Sequence, residues 1–205
     1  MARQVPGGRD VALRAVASPG DILSARALNR ALLARQGLLE PAESGPAEML
    51  ERLVGMQNQV PLDPYLGMWS RVRDFDPVEL GALVEGRGAV RMVLMRGTVH
   101  MATARDALAL RALVEPVIAR AFRGSPFSKQ IPGVDHDELR AAVREFVEAA
   151  PRGRAELGRL LAERFPGVDA NPLGYAATYL VPMVQVPPRG VWGKTGRARW
   201  TTVES

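Results

Sequence analysis

The chain has 205 residues, 47% hydrophobic and 24% charged, enough to bury one substantial core or two small ones. It has no cysteine and two histidines, which excludes disulfides, thiol chemistry and any cysteine- or histidine-rich metal centre. The net charge is +5, and all of the 27 basic residues except Lys129 and Lys194 are arginine, a balance open to an anionic partner.

Aromatic residues, at 5%, are too few for a sandwich or barrel packed with large rings. Residues 1–10 carry charge without an apolar core, and no apolar run approaches the ~18–20 residues that cross a bilayer. The expectation is a soluble cytoplasmic protein, nucleoid-associated if DNA is its partner.

Residues 1–23 form a polar, glycine-bearing arm, with a short strand expected around Val11–Val16. Ser24 is placed to cap a helix running to about Gln36, with Leu28, Ala31 and Leu32 inward and Gly37 as its stop. Pro46 opens a second helix. Its stripe of Leu50, Leu53 and Val54 points to Gln57 as the next inward position, and the helix is expected to end before Pro61. Asp63-Pro64 starts a third helix, burying Leu66, Met68 or Trp69, and Val72; Asp76-Pro77 starts a fourth, to about Glu85.

At Ala89 the texture changes. Ala89–Met95 and Thr98–Met101 are short apolar runs around Arg96-Gly97, which predicts a β-hairpin. Helices followed by a hairpin is the order of a winged helix, here over residues 24–103. Residues 104–134 supply a long helix (Arg105–Phe122) and a loop. The order then repeats over 135–205: helices at Asp135–Ala149, at Arg154–Phe165 and from Asn171-Pro172 to Pro182, then a hairpin over Val186–Val203. The predicted fold is therefore mainly α with small β-hairpins, an α+β class built of tandem winged-helix units around the 105–122 helix.

There is no phosphate-binding glycine loop, dinucleotide fingerprint or HExxH helix. Asp135, Asp137 and Glu138 read as helix-start acids, and no other acid pair calls for general acid/base work. The second hairpin carries Arg189, Lys194, Arg197 and Arg199, with Trp192 among them and Trp200 directly after, a pattern that fits phosphates or a minor groove, or equally a solvated hairpin.

Four stretches, in order, resemble one family: Leu28-Asn29-Arg30 with Ala34–Leu39, Leu53–Gln59, Leu94–His100 and Pro187–Gly193. The chain is similar from about residue 24 to 203 to the winged-helix family of AlkZ-like and YcaQ-like DNA glycosylases, which excise alkylated purines and unhook interstrand crosslinks. That resemblance implies a Gln-x-Gln catalytic pair at Gln57 and Gln59, with Asn58 where the family carries an apolar residue. It implies damaged double-stranded DNA as partner, contacted through Arg96, Thr98, His100, Arg189, Trp192, Lys194, Arg197 and Arg199. No metal, cofactor or membrane is implied, and a monomer is expected. Family members continue into a third winged helix and a β-rich domain, so this sequence corresponds to their N-terminal part. The competing expectation is a non-catalytic winged-helix regulator.

Geometry attaches a condition. Residues two apart point about 200° apart on a helix but share a face when extended. Pro61 disfavours α at Val60, so Gln57 and Gln59 meet in one cleft only if the helix gives way near Asn58.

Overall fold

Proline and capping side chains set most helix starts. The computed structural model describes residues 22–205, so the strand expected at Val11–Val16 lies outside the described residues. Within the N-terminal unit, α1 (Ala25–Arg35) starts where Ser24 accepts the Ala27 N–H at 3.2 Å, and ends at Gly37, φ +65°. Leu28 and Leu32, expected inward, are exposed. Amphipathic spacing marks a face but does not supply what covers it.

The second unit, residues 40–205, holds the remaining elements. They are α2 (Pro46–Arg52), β1 (Met56–Gln57), α3 (Asp63–Trp69), α4 (Pro77–Glu85), β2 (Ala89–Val93) and β3 (Val99–Thr103), then α5 (Ala104–Gly124) and α6 (Pro126–Lys129). α7 (His136–Ala149), α8 (Arg154–Arg164), α9 (Ala170–Leu180), β4 (Met183–Gln185) and β5 (Trp200–Thr202) complete it. The fold is α+β, as the order of elements implied. The two hairpins do not stay apart: β2 pairs with β4, giving one antiparallel sheet of order β1-β3-β2-β4-β5.

The sheet joins two apolar clusters. Met49, Leu50, Tyr65, Met68, Leu80 and Met101 form one under α2–α4. Phe122, Leu139, Val143, Leu157, Leu173 and Trp200 form the other around α7–α9. On α3 the inward stripe is Tyr65, Met68 and, past the helix end, Val72, whereas Leu66 and Trp69 are 70% and 73% exposed. Met68 and Val72 are inward as expected, and Tyr65 takes the place expected of Leu66, anchoring the helix by donating its hydroxyl to Gly190 O at 2.8 Å. Asp135 caps α7, accepting the Asp137 and Glu138 N–H groups at 2.7 and 3.1 Å; these bonds hold its carboxyl below the ordinary range.

α8 and α9 cross on glycines. A Cβ on Gly158 would fall 2.2 Å from Ala170 O, and one on Gly174 2.7 Å from Arg154 O. Both obstacles are backbone, so the helices must separate to admit even a methyl group. Gly158→Ala should therefore lower stability by about 1–3 kcal/mol or more, read as a drop in the urea midpoint at unchanged m-value.

The span read as a hairpin over Val186–Val203 is mostly loop. β4 and β5 pair over three residues each, and the Val186 N–H bonds to Arg199 O at 3.0 Å. Beyond that the loop folds back: Trp192 lies 5.1 Å from Tyr65, ring to ring, and Lys194 pairs with Glu85. Packing against α3 and α4 outweighs the few ladder bonds a longer hairpin would add.

Candidate active site

The segment after α2 departs most from the expected helix. α2 stops at Arg52: the Val54 N–H bonds to Glu51 O at 3.0 Å and the Gly55 N–H to Leu50 O at 2.8 Å, a closed helix end with Val54 left-handed at φ +58°. A β-branched residue there is strained. Gly55 follows at φ +89°, and a Cβ on it would touch Met101 O at 3.0 Å, so glycine is required where the chain meets β3. The chain then runs extended, with Met56 opposite Met101, Gln57 opposite His100, and the Asn58 N–H bonded to Val99 O at 2.8 Å.

Extension reverses the expected burial. Gln57, placed inward by helical spacing, is exposed, as is Gln59, while Asn58 between them is fully buried. Gln57 Nε2 donates to Gln59 Oε1 at 2.8 Å, and Arg96 Nη2 donates to Gln57 Oε1 at 2.6 Å. Arg96 itself sits in a tight turn at φ +56°. The geometric condition on the pair is met: the two carboxamides share a face, aligned by a cation.

Beneath them lies a polar support. Arg91, 1% exposed, donates through Nη2 to Asn58 O at 2.9 Å. With the Asn58 amide oriented to suit its neighbours, Oδ1 accepts from Arg91 Nε at 3.0 Å and Nδ2 donates to Val60 O at 2.7 Å. Burial, with the nearby Arg189 charge, pushes the Arg91 pKa down to about 10, still cationic at neutral pH. Arg91 Nη1 and Gln185 Oε1, on residues paired across β2 and β4, are buried without a protein partner. A Cβ on Gly190, at φ +88°, would lie 2.7 Å from Arg91 Cδ. Sequence reasoning missed Arg91, although a charge inside the apolar run Ala89–Val93 was a visible signal.

The other expected contacts divide. Thr98 Oγ1 closes its own turn on Met95 O at 3.2 Å. Arg199 is committed to the protein, with Nε and Nη2 donating to Pro151 O at 2.9 and 2.5 Å. Trp192, with Tyr65, Leu66, Trp69, Phe75 and Pro77, lines an apolar groove. Arg189 and Lys194 line a cleft with Val60, Pro61 and Leu62, directly after Gln59 in the chain. Arg197 is on the same loop and exposed.

His100 is 3% exposed, and its Nδ1 donates to Thr98 O at 2.9 Å, since a carbonyl only accepts. Burial, countered by that bond, lowers its pKa below the ordinary 6.5, and the Arg96 charge adds to the lowering. The fold thus favours neutral imidazole. Its contribution to stability is complete above pH 6.5 and is lost as pH falls from there through the depressed native value. Urea midpoints should decline over that window, with a shallower slope in His100→Gln.

Among the described residues no group of three or more His, Cys, Asp or Glu could hold a metal, and no helix is long and apolar enough to cross a membrane.

The family model for "DNA glycosylase AlkZ-like" matches residues 50–205, more than half of the sequence. The chain belongs to the AlkZ-like DNA glycosylase family. Among solved structures, the AlkZ DNA glycosylase of Streptomyces sahachiroi is similar at 21% identity and a TM-score of 0.60, over 84% of this chain and 47% of that one. At that identity the likeness is one of fold, and this AlkZ-like chain spans about half the length of that structure. No curated protein sequence matches. The matched region begins within α2, so it takes in β1 with Asn58 and Gln59 after it, the β2–β3 hairpin and the 186–199 loop.

Proposed function

We propose that this chain carries the catalytic site of a DNA glycosylase that hydrolyses the N-glycosidic bond of cationic alkylpurines, with Gln57 and Gln59 holding the attacking water. The observation that carries the reading is the alignment of the two carboxamides on one exposed face, 2.8 Å apart and oriented by Arg96.

The chemistry selects the substrate class. A carboxamide neither takes up a proton at neutral pH nor gives one to a leaving group, so the acid pair of ordinary glycoside hydrolysis has no counterpart here. A purine alkylated at N7 or N3 is already cationic and leaves as a neutral base, so no acid is needed. What remains is to hold a water and stabilise an oxocarbenium-like sugar: the purine leaves with the glycosidic electron pair, the water oxygen bonds to C1′, and its proton passes to solvent. Each amide oxygen has two acceptor lone pairs. Gln57 Oε1 gives one to Arg96 and Gln59 Oε1 gives one to Gln57, leaving one on each for a shared water. Crosslinks through N7 of guanine have the same electronic character and belong to the same class.

Damaged double-stranded DNA is the proposed partner, with a monomer as the working unit and two winged-helix units, 24–103 and 135–205, joined by residues 104–134. A non-catalytic reader would need a basic recognition helix. α9 carries no charged side chain, and its Tyr175 is stacked on Phe127 at 3.8 Å with Arg154 over the ring at 3.7 Å.

The test is abasic-site formation in a duplex with a single N7-methylguanine. Alkali-labile strands should appear with the lesion and not with guanine. Tight binding of that duplex without cleavage products would overturn the catalytic reading.

A further inference from the structure

We infer that the cleft between residues 60–62 and the 189–196 loop is a phosphodiester site, built on an uncompensated pair of guanidiniums, Arg91 and Arg189. The inference rests on the glycosylase reading for the source of the phosphate, but not for the existence of the anion site.

The two arginines are close enough for the charge of Arg189 to disfavour the charged form of Arg91. Neither has a carboxylate partner among the described residues. Arg91 bonds to Asn58 and packs against Gly190, with Nη1 buried and unpartnered; Arg189 gives Nη1 to Gly196 O at 3.0 Å, and its Nε is buried and unpartnered. Two neighbouring cations with donors unfilled lack what normally makes such a cluster favourable, an anion with several acceptor oxygens.

The cleft beside them, about 310 Å³, is lined by Val60, Pro61, Leu62, Arg189, Gly190, Lys194, Thr195 and Gly196, none of them acidic. Lys194 pairs with Glu85 and so brings a charge already partly neutralised. The unmatched charge therefore belongs to the guanidiniums, whose planar donors suit phosphate oxygens. Arg189 takes the phosphate directly. Arg91, under the Gly190 backbone, acts through its field and by fixing that backbone.

Position gives the site its purpose. Val60 and Pro61 follow Gln59 directly, and Arg91 holds both the strand bearing the glutamines and the wall of the cleft. A phosphate seated there fixes the nucleotide chain at a set offset from the two carboxamides.

Two arms test the site on the full chain. First, inorganic phosphate is titrated against chloride at equal ionic strength, following the arginine Nε–H resonances by NMR. The Arg189 signal should shift and saturate, and the shift should be weakened in Lys194→Gln, which keeps the reporting group and removes a cation from the cleft. Second, duplexes with single methylphosphonates are scanned for binding. One linkage near the lesion should weaken wild-type binding about tenfold while leaving Arg189→Gln indifferent to that linkage. Lys194→Gln, an exposed change, serves in this arm too if Arg189→Gln does not fold, and should weaken the response.

No phosphate shift and no linkage-specific loss would overturn the site. A phosphate response without DNA binding would uphold the anion site and overturn its assignment to DNA, along with the glycosylase reading. Excision with no linkage dependence would leave the glycosylase reading standing and overturn the assignment of the site to a DNA phosphate.

Discussion

Gln57→Ala should lower the single-turnover rate of N7-methylguanine excision by about 10²–10³-fold, the usual cost of removing one oriented group from a preorganised polar site. Gln59→Ala should cost a similar amount. The two losses should not multiply, because both side chains are assigned to one water: once either acceptor is gone the water is no longer fixed, and the double variant falls little below the worse single. Affinity for the lesion duplex should change much less, since neither carboxamide carries charge. Arg96→Ala should fall between wild type and these variants, about tenfold down, because Arg96 acts by holding Gln57 Oε1 at 2.6 Å. Rates that drop by the product of the single effects would mean two separate roles and would remove the shared water from the mechanism.

The sequence showed this site in outline and concealed its geometry. Helix starts at Ser24, Pro46, Asp63-Pro64, Asp76-Pro77 and Asp135 were legible because capping side chains and proline act locally. The β2–β3 hairpin was legible from texture. The end of α2 was not, because Leu50, Leu53 and Val54 keep helical spacing up to the residue that breaks it. What stops the helix is not local. Gly55 has to pass Met101 O closely, and the next residues find backbone partners on β3, forty residues later in the chain. The joining of both hairpins through β2 and β4 was equally hidden, since two ladder positions some ninety residues apart leave no periodic trace. Leu28 and Leu32 show the converse limit: a stripe was present, and the described residues leave it exposed.

Asn58, where the family resemblance implies an apolar residue, has a physical partner, and this yields a second large expected effect. Placing an apolar residue there by Asn58→Leu should destabilise the chain by about 2–4 kcal/mol, despite adding hydrophobic volume. The substitution removes the acceptor 3.0 Å from Arg91 Nε and the donor to Val60 O, and hydrogen bonds to buried charged groups are worth about 1.5–3 kcal/mol. The remaining guanidinium is 1% exposed, so bulk solvent does not replace the lost bond. Arg91→Met should cost less, because it removes a charge whose pKa is already pushed down to about 10 and leaves only acceptors unfilled. The double variant should then be more stable than Asn58→Leu alone, with a coupling energy of about 1–3 kcal/mol in a urea double-mutant cycle. Activity supplies an independent reading. Arg91 also holds Asn58 O at 2.9 Å, and that bond fixes the strand placing Gln57 and Gln59 outward. Stability regained in the double variant should therefore not bring the excision rate back with it. If both return together, Arg91 only fills space, and the glutamines take their position from the β1–β3 pairing by itself.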